Sequence, residues 1–178
     1  QITKSEPSYA GLYSIMAGIE CFRTDFEDAL GNIKMAYSLG KNTSNNSYIV
    51  VMQLVYSLIL YGRGDIAELM TLLIETEGII KQNKIAPTAM AIFIGMKGRM
   101  LVELNELEEA NHFFEENGIV LDKKISYLED RAYISFALFL ITEFKLKEAE
   151  KILKTATEGV IKEMEKAGGE ASFTKTEK

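Results

Sequence analysis

Two columns of residues, twelve positions apart, recur four times along the chain. The first reads Ala17, Ser57, Gly98, Ala137, and the second reads Ala29, Leu69, Ala110, Ala149, with spacings of 40, 41 and 39 in the second. The segments leading into the second column are RTDFEDAL (23–30), RGDIAELM (63–70), LNELEEAN (104–111) and EFKLKEAE (143–150). Each has a short polar turn, an apolar residue, two mostly polar residues and then a small or apolar one. Linked columns of this kind have a physical origin. Where two helices of a hairpin cross closely, a bulky side chain at the crossing would hold the backbones apart.

The paired small positions resemble the tetratricopeptide repeat, with a unit of about 40 residues in place of the usual ~34. The expected fold is all-α, a right-handed superhelix of about four helix-turn-helix hairpins, that is, a tetratricopeptide-like α-solenoid. The predicted domain is single, 1–168, with repeats at about 8–40, 48–82, 87–117 and 126–167 and a disordered tail at 169–178. Within these, helices are expected at about 8–22, 26–40, 48–62, 65–82, 87–104, 107–117, 126–143 and 146–167. Pro7 and Pro87 suit the first turn of a helix. Asn117-Gly118 is a left-handed stop, and Ser126 with Glu129 has capping-box spacing. The greasy run around Phe136–Ile141 is apolar on two faces, as expected of a solenoid helix that touches both its own partner and the next repeat.

Composition narrows the function. A net charge of −6 lacks the concentrated basic surface that a phosphate backbone demands, so no direct nucleic-acid contact is expected of this chain. The most apolar run, Tyr48–Leu60, is broken by Gln53 and Ser57 and falls short of the ~20 residues that cross a bilayer. No membrane partner is expected. The single cysteine, Cys21, forbids an internal disulfide, fits a cytoplasmic location, and reads as a small packing residue. Because the chain starts at Gln1 rather than Met, it reads as a fragment of a longer protein.

The chemistry-bearing motifs are few. Gly62–Asp65 (GRGD) falls in the turn of the second repeat, in register with Arg23–Asp25, and reads as turn chemistry. His112 is the one histidine, and Glu108 precedes it by four residues. A metal site normally needs several such ligands, so His112 reads as part of a solvated helix face. No phosphate-binding glycine loop, nucleophile elbow or catalytic triad pattern is present, and the chain reads as a non-enzyme. In tetratricopeptide-like arrays the first helix of each hairpin lines the concave face. Counting from the small columns places Tyr61, Arg99 and Arg131 there, in an otherwise apolar trough, as candidate ligand-binding residues. Arginines so placed can hold a carboxylate, phosphate or sugar hydroxyl. They can equally pair with Glu103, Glu129 or Asp130 of their own helices.

Residues 98–119 (GRMLVELNELEEANHFFEENGI) and 125–153 resemble the sensor region of the large ATP-binding LuxR-type transcriptional regulators, the family of the maltose-regulon activator. Arg99, Ala110 and Gly118-Ile119 stand at the family's Arg, small and Gly-Leu positions. Phe113, Asn105 and Leu138 stand where Trp, Gly and a second Arg are common. The resemblance implies an effector-sensing or protein-interaction domain whose ligand, a small-molecule inducer or a regulatory protein, biases an ATP-dependent switch. It implies ATP as cofactor of an upstream domain, with none held by this chain. It also implies contacts with other domains of the same regulator. Self-association through apolar ends of the array is a further expected partner class. The alternative is a constitutive scaffold that docks a peptide or partner protein.

Overall fold

The computed structural model describes residues 6–40, 45–121, 125 and 129–167. Among these the chain is all-α, with eight helices and no strand: α1 (Glu6–Phe22), α2 (Phe26–Gly40), α3 (Asn46–Arg63), α4 (Ile66–Gln82), α5 (Pro87–Glu103), α6 (Leu107–Glu116), α7 (Asp130–Thr142) and α8 (Leu146–Ala167). They form two compact units, Gln1–Met90 and Ala91–Lys178. No helix among the described residues is long and apolar enough to cross a membrane.

The turns inside the four helix pairs have one geometry. Thr24, Gly64, Asn105 and Phe144 all take the left-handed conformation, with φ of 65°, 79°, 61° and 57°. The next residue closes the turn by donating its N–H five residues back: Asp25 to Glu20 (2.9 Å), Asp65 to Leu60 (2.9 Å), Glu106 to Leu101 (2.8 Å) and Lys145 to Leu140 (2.7 Å). That is the bond pattern of a Schellman stop, which satisfies carbonyls orphaned at the helix end. Only one of the four left-handed residues is a glycine; the other three carry the Cβ penalty of that conformation, roughly 1–2 kcal/mol each. In every pair the left-handed residue sits five positions before the second column residue. The columns themselves are buried: Ala17, Ala29, Ser57, Leu69 and Ala110 are fully enclosed, and Ala137 and Ala149 nearly so.

In the first unit, α1 and α2 both pack against α3. Ala17, Ala29, Ile33, Ala36, Met52 and Ile59 form the buried core, and Tyr13, Cys21, Val55 and Tyr56 cover its edge. Burial pushes the Cys21 thiol up from its ordinary value, which favours the neutral packing form. The Phe26 ring lies where a side chain at Gly62 would go, so that glycine lets α3 meet the start of α2. Arg63 ties the GRGD turn down, with Nη1 on Glu27 Oε1 at 2.5 Å and Nε on Asp65 Oδ2 at 2.7 Å.

In the second unit the core is aromatic. Phe114 is fully buried, with Phe136 and Phe139 at centroid distances of 5.2 and 5.9 Å. Gly98 of α5 faces the Phe114 ring, and Gly95, one turn earlier, faces the backbone carbonyl of Arg131 on α7. His112 is exposed and pairs with Glu116 at 3.1 Å.

Helix bounds follow the sequence expectation at most ends, including Pro87 as the first residue of α5 and the left-handed Gly118 after α6. The described part of the seventh helix starts at Asp130, not at 126. Glu129 is the residue that precedes this helix, and the expected capping box, which needs Ser126, lies outside the described residues. The expected tail at 169–178 also lies outside the described residues.

Candidate functional site

The first unit carries an open groove of about 500 Å³, lined by Lys34, Tyr37, Ser38, Tyr56, Glu68, Thr71, Leu72 and Glu75. Three helices build it. Lys34, Tyr37 and Ser38 sit at i, i+3 and i+4 of α2 and share one face. Glu68, Thr71, Leu72 and Glu75 do the same on α4. Tyr56 comes from α3 between them. The size falls within the ~300–1,000 Å³ common for small-molecule sites.

The Tyr56 hydroxyl donates to Glu68 Oε1 at 2.6 Å. Burial, then the hydrogen bond and the negative charge of Glu68, push the phenol up to about 12, so it stays protonated. Ser38 Oγ donates to the Met35 carbonyl at 2.9 Å, and Thr71 Oγ1 to the Ala67 carbonyl at 3.0 Å. With their protons so engaged, both hydroxyls turn lone pairs outward as acceptors. Lys34 and Glu75 make no ion pair among the described residues. The groove therefore offers two tyrosine rings and Leu72 as an apolar body, one cation, and a surplus of acceptors from Glu68, Glu75, Ser38 and Thr71. This chemistry suits a molecule with an apolar or ring face and several N–H or O–H donors, such as a polyol or an amine.

The three residues singled out from the sequence lie elsewhere. Tyr61 is half-buried on α3, five residues beyond Tyr56 and so about 140° around the helix. Arg99 is exposed on α5, and its Nε donates to Glu103 Oε1 at 2.7 Å, the intrahelical pairing weighed above. Arg131 is exposed in the first turn of α7, where its own N–H is held by Asp130 Oδ1 at 2.6 Å. None of the three lines the groove. Among the described residues no three His, Cys, Asp or Glu side chains are grouped to hold a metal ion.

Sequence reasoning missed the groove because its polar residues sit on the second helices of the hairpins, where such spacing reads as a solvated face. The available signal was Tyr37, a ring among those polar positions of α2, with Tyr56 on α3 beside it. No protein-family model, curated protein or solved structure matches the chain.

Proposed function

We propose that this chain is an effector-sensing and interaction domain of a LuxR-type, ATP-dependent transcriptional regulator, built as a tetratricopeptide-like array. The groove between α2 and α4 is the site where a small donor-rich effector seats. The observation that carries this reading is the groove itself: a ligand-sized cleft with two tyrosine rings, a Lys34 and a Glu75 without an ion pair among the described residues, and excess acceptors. The recurring turn at Thr24, Gly64, Asn105 and Phe144 supports the array. The Gly98–Ile119 pattern supports the regulator. On this reading ATP binding and DNA reading belong to other segments of the regulator, which works in the cytoplasm. An effector that prefers one arrangement of the hairpins would bias the switch by its differential affinity.

The test is a thermal-shift screen of the chain against sugars, polyols and amines. A ligand bound only by the native state adds about 2.7 kcal/mol at a hundredfold excess over Kd. Tyr56→Phe and Lys34→Ala should both abolish the shift. Lys34→Ala leaves the unliganded midpoint nearly unchanged, whereas Tyr56→Phe lowers it through the lost hydrogen bond to Glu68, worth about 0.5–1.5 kcal/mol. A hit that survives both substitutions, or no hit at all, counts against the groove as the effector site. A second reading, a constitutive scaffold for a protein partner, is favoured by a different feature: Leu12, Ile15 and Ile19 of α1 are each more than half exposed.

A further inference from the structure

The exposed apolar face of α1 has a buried counterpart within the same unit. Shifting α1 by the 40 residues that separate the turns at Thr24 and Gly64 places Leu12, Ile15 and Ile19 on Met52, Val55 and Ile59 of α3. On α3 that face is the one packed against α1 and α2, and Met52 and Ile59 are fully buried by it. On α1 the same positions are 55%, 62% and 53% exposed. The other half of this interface also has an uncovered counterpart. Shifting α2 by the 120 residues that separate the turns at Thr24 and Phe144 places Phe26 and Ile33 on Leu146 and Leu153 of α8. In the first unit Phe26 lies against Gly62 of α3, and Ile33 is buried beside Met52 and Ile59. On α8, Leu146 and Leu153 are 60% and 39% exposed. The α1 equivalent of Gly62 is Phe22, which is 85% exposed. One chain thus displays, uncovered, both halves of an interface that it forms internally between α1–α2 and α3. Contiguous exposed apolar surface of this kind marks an interaction site.

We propose that two copies of this chain associate head to tail, the α1 face of one covering the α8 face of the next in the geometry by which α3 packs on α2. Leu153 of one copy then sits against Leu12 and Ile19 of the other, and Leu146 meets Phe22. The contact is heterologous, because different surfaces meet, so each copy keeps one free half and addition can continue.

Sedimentation of the whole chain tests this. The wild type should shift with concentration from the 20.0 kDa monomer to dimers and larger species. Ile19→Glu alone and Leu153→Glu alone should each remain monomeric, because every copy then lacks the same half. An equimolar mixture of the two should yield dimers and nothing larger, since one intact α1 face meets one intact α8 face. Circular dichroism checks that the helices persist. If either variant unfolds, Ile15→Glu and Leu146→Glu replace them, both at exposed positions. A wild type that stays monomeric throughout overturns the proposal. So does either single variant that still dimerises, which would mean like faces pair, and so does a mixture that stays monomeric.

Discussion

Replacing Gly98 by alanine puts a methyl group where the Phe114 ring already lies. The new Cβ would be only 2.4 Å from Cζ and 2.5 Å from Cε1 of that ring, against a carbon–carbon optimum of ~3.5–4.0 Å, so the ring must retreat by about 1 Å. It has little room to do so. Phe114 is fully buried, with the Phe136 ring 5.2 Å and the Phe139 ring 5.9 Å away. Overpacking of this kind costs about 1–3 kcal/mol. Alanine recovers about 1 kcal/mol of that by its better helix propensity. The net expectation is a loss of roughly 0–2 kcal/mol. Gly159→Ala in α8 is the control, because among the described residues its Cβ would meet only the Ile125 carbonyl, at an ordinary 3.6 Å. That variant should gain up to about 1 kcal/mol. The difference between the two variants isolates the packing cost, about 1–3 kcal/mol, since the propensity gain cancels. Gly95→Ala should cost more than Gly98→Ala, because the obstacle is the Arg131 carbonyl, 2.8 Å away, and backbone cannot step aside as a ring can. Urea unfolding followed by the helical dichroism signal measures all three. The Gly98→Ala, Phe114→Leu double variant should lose less than the sum of the single losses, the signature of direct contact. If Gly98→Ala is as stable as Gly159→Ala, the close crossing of α5 against α6 is refuted.

Phe144→Gly should stabilise the chain by about 1 kcal/mol, because Phe144 is 89% exposed and its left-handed φ of 57° favours glycine; urea midpoints decide it. Gly64→Ala, at φ 79°, should lose a similar amount in the same assay. Phenolate absorbance during alkaline titration should show Tyr56 ionising near pH 12, and Glu68→Gln should bring it lower. Since the folded value lies above the ordinary 10.0, the stability Tyr56 contributes is complete below pH 10 and is lost as pH climbs towards 12. Tyr48→Phe should be neutral or stabilising by about 1 kcal/mol in thermal unfolding, because its buried hydroxyl finds no hydrogen-bond partner among the described residues.

Much of the helical framework was legible from the sequence, for reasons seen at particular residues. Gly118 and Pro87 act through local backbone constraints, so the stop after α6 and the start of α5 fall where expected. The columns through Ala17 and Ala29 were legible because burial at a crossing tolerates little volume, and size can be read directly. The described start of α7 falls at Asp130 rather than at the expected 126, and residues 126–128 lie outside the described residues. Non-glycine residues at Thr24, Asn105 and Phe144 gave no local sign of a left-handed turn; only the register with Gly64 hinted at one.

The sequence by itself therefore determined where most helices begin and end and which residues face a crossing, because both depend on neighbours within a few turns of chain. It also put Arg99 within reach of Glu103, since that spacing is intrahelical. The groove was decided by tertiary structure alone. Lys34, Tyr56 and Glu75 lie on three helices and become neighbours only when α2, α3 and α4 pack. The contrast between buried Ile59 and exposed Ile19 was decided there too. Each isoleucine stands five residues before a left-handed turn residue, Thr24 or Gly64, and nothing local distinguishes them; the difference is whether other helices cover the face.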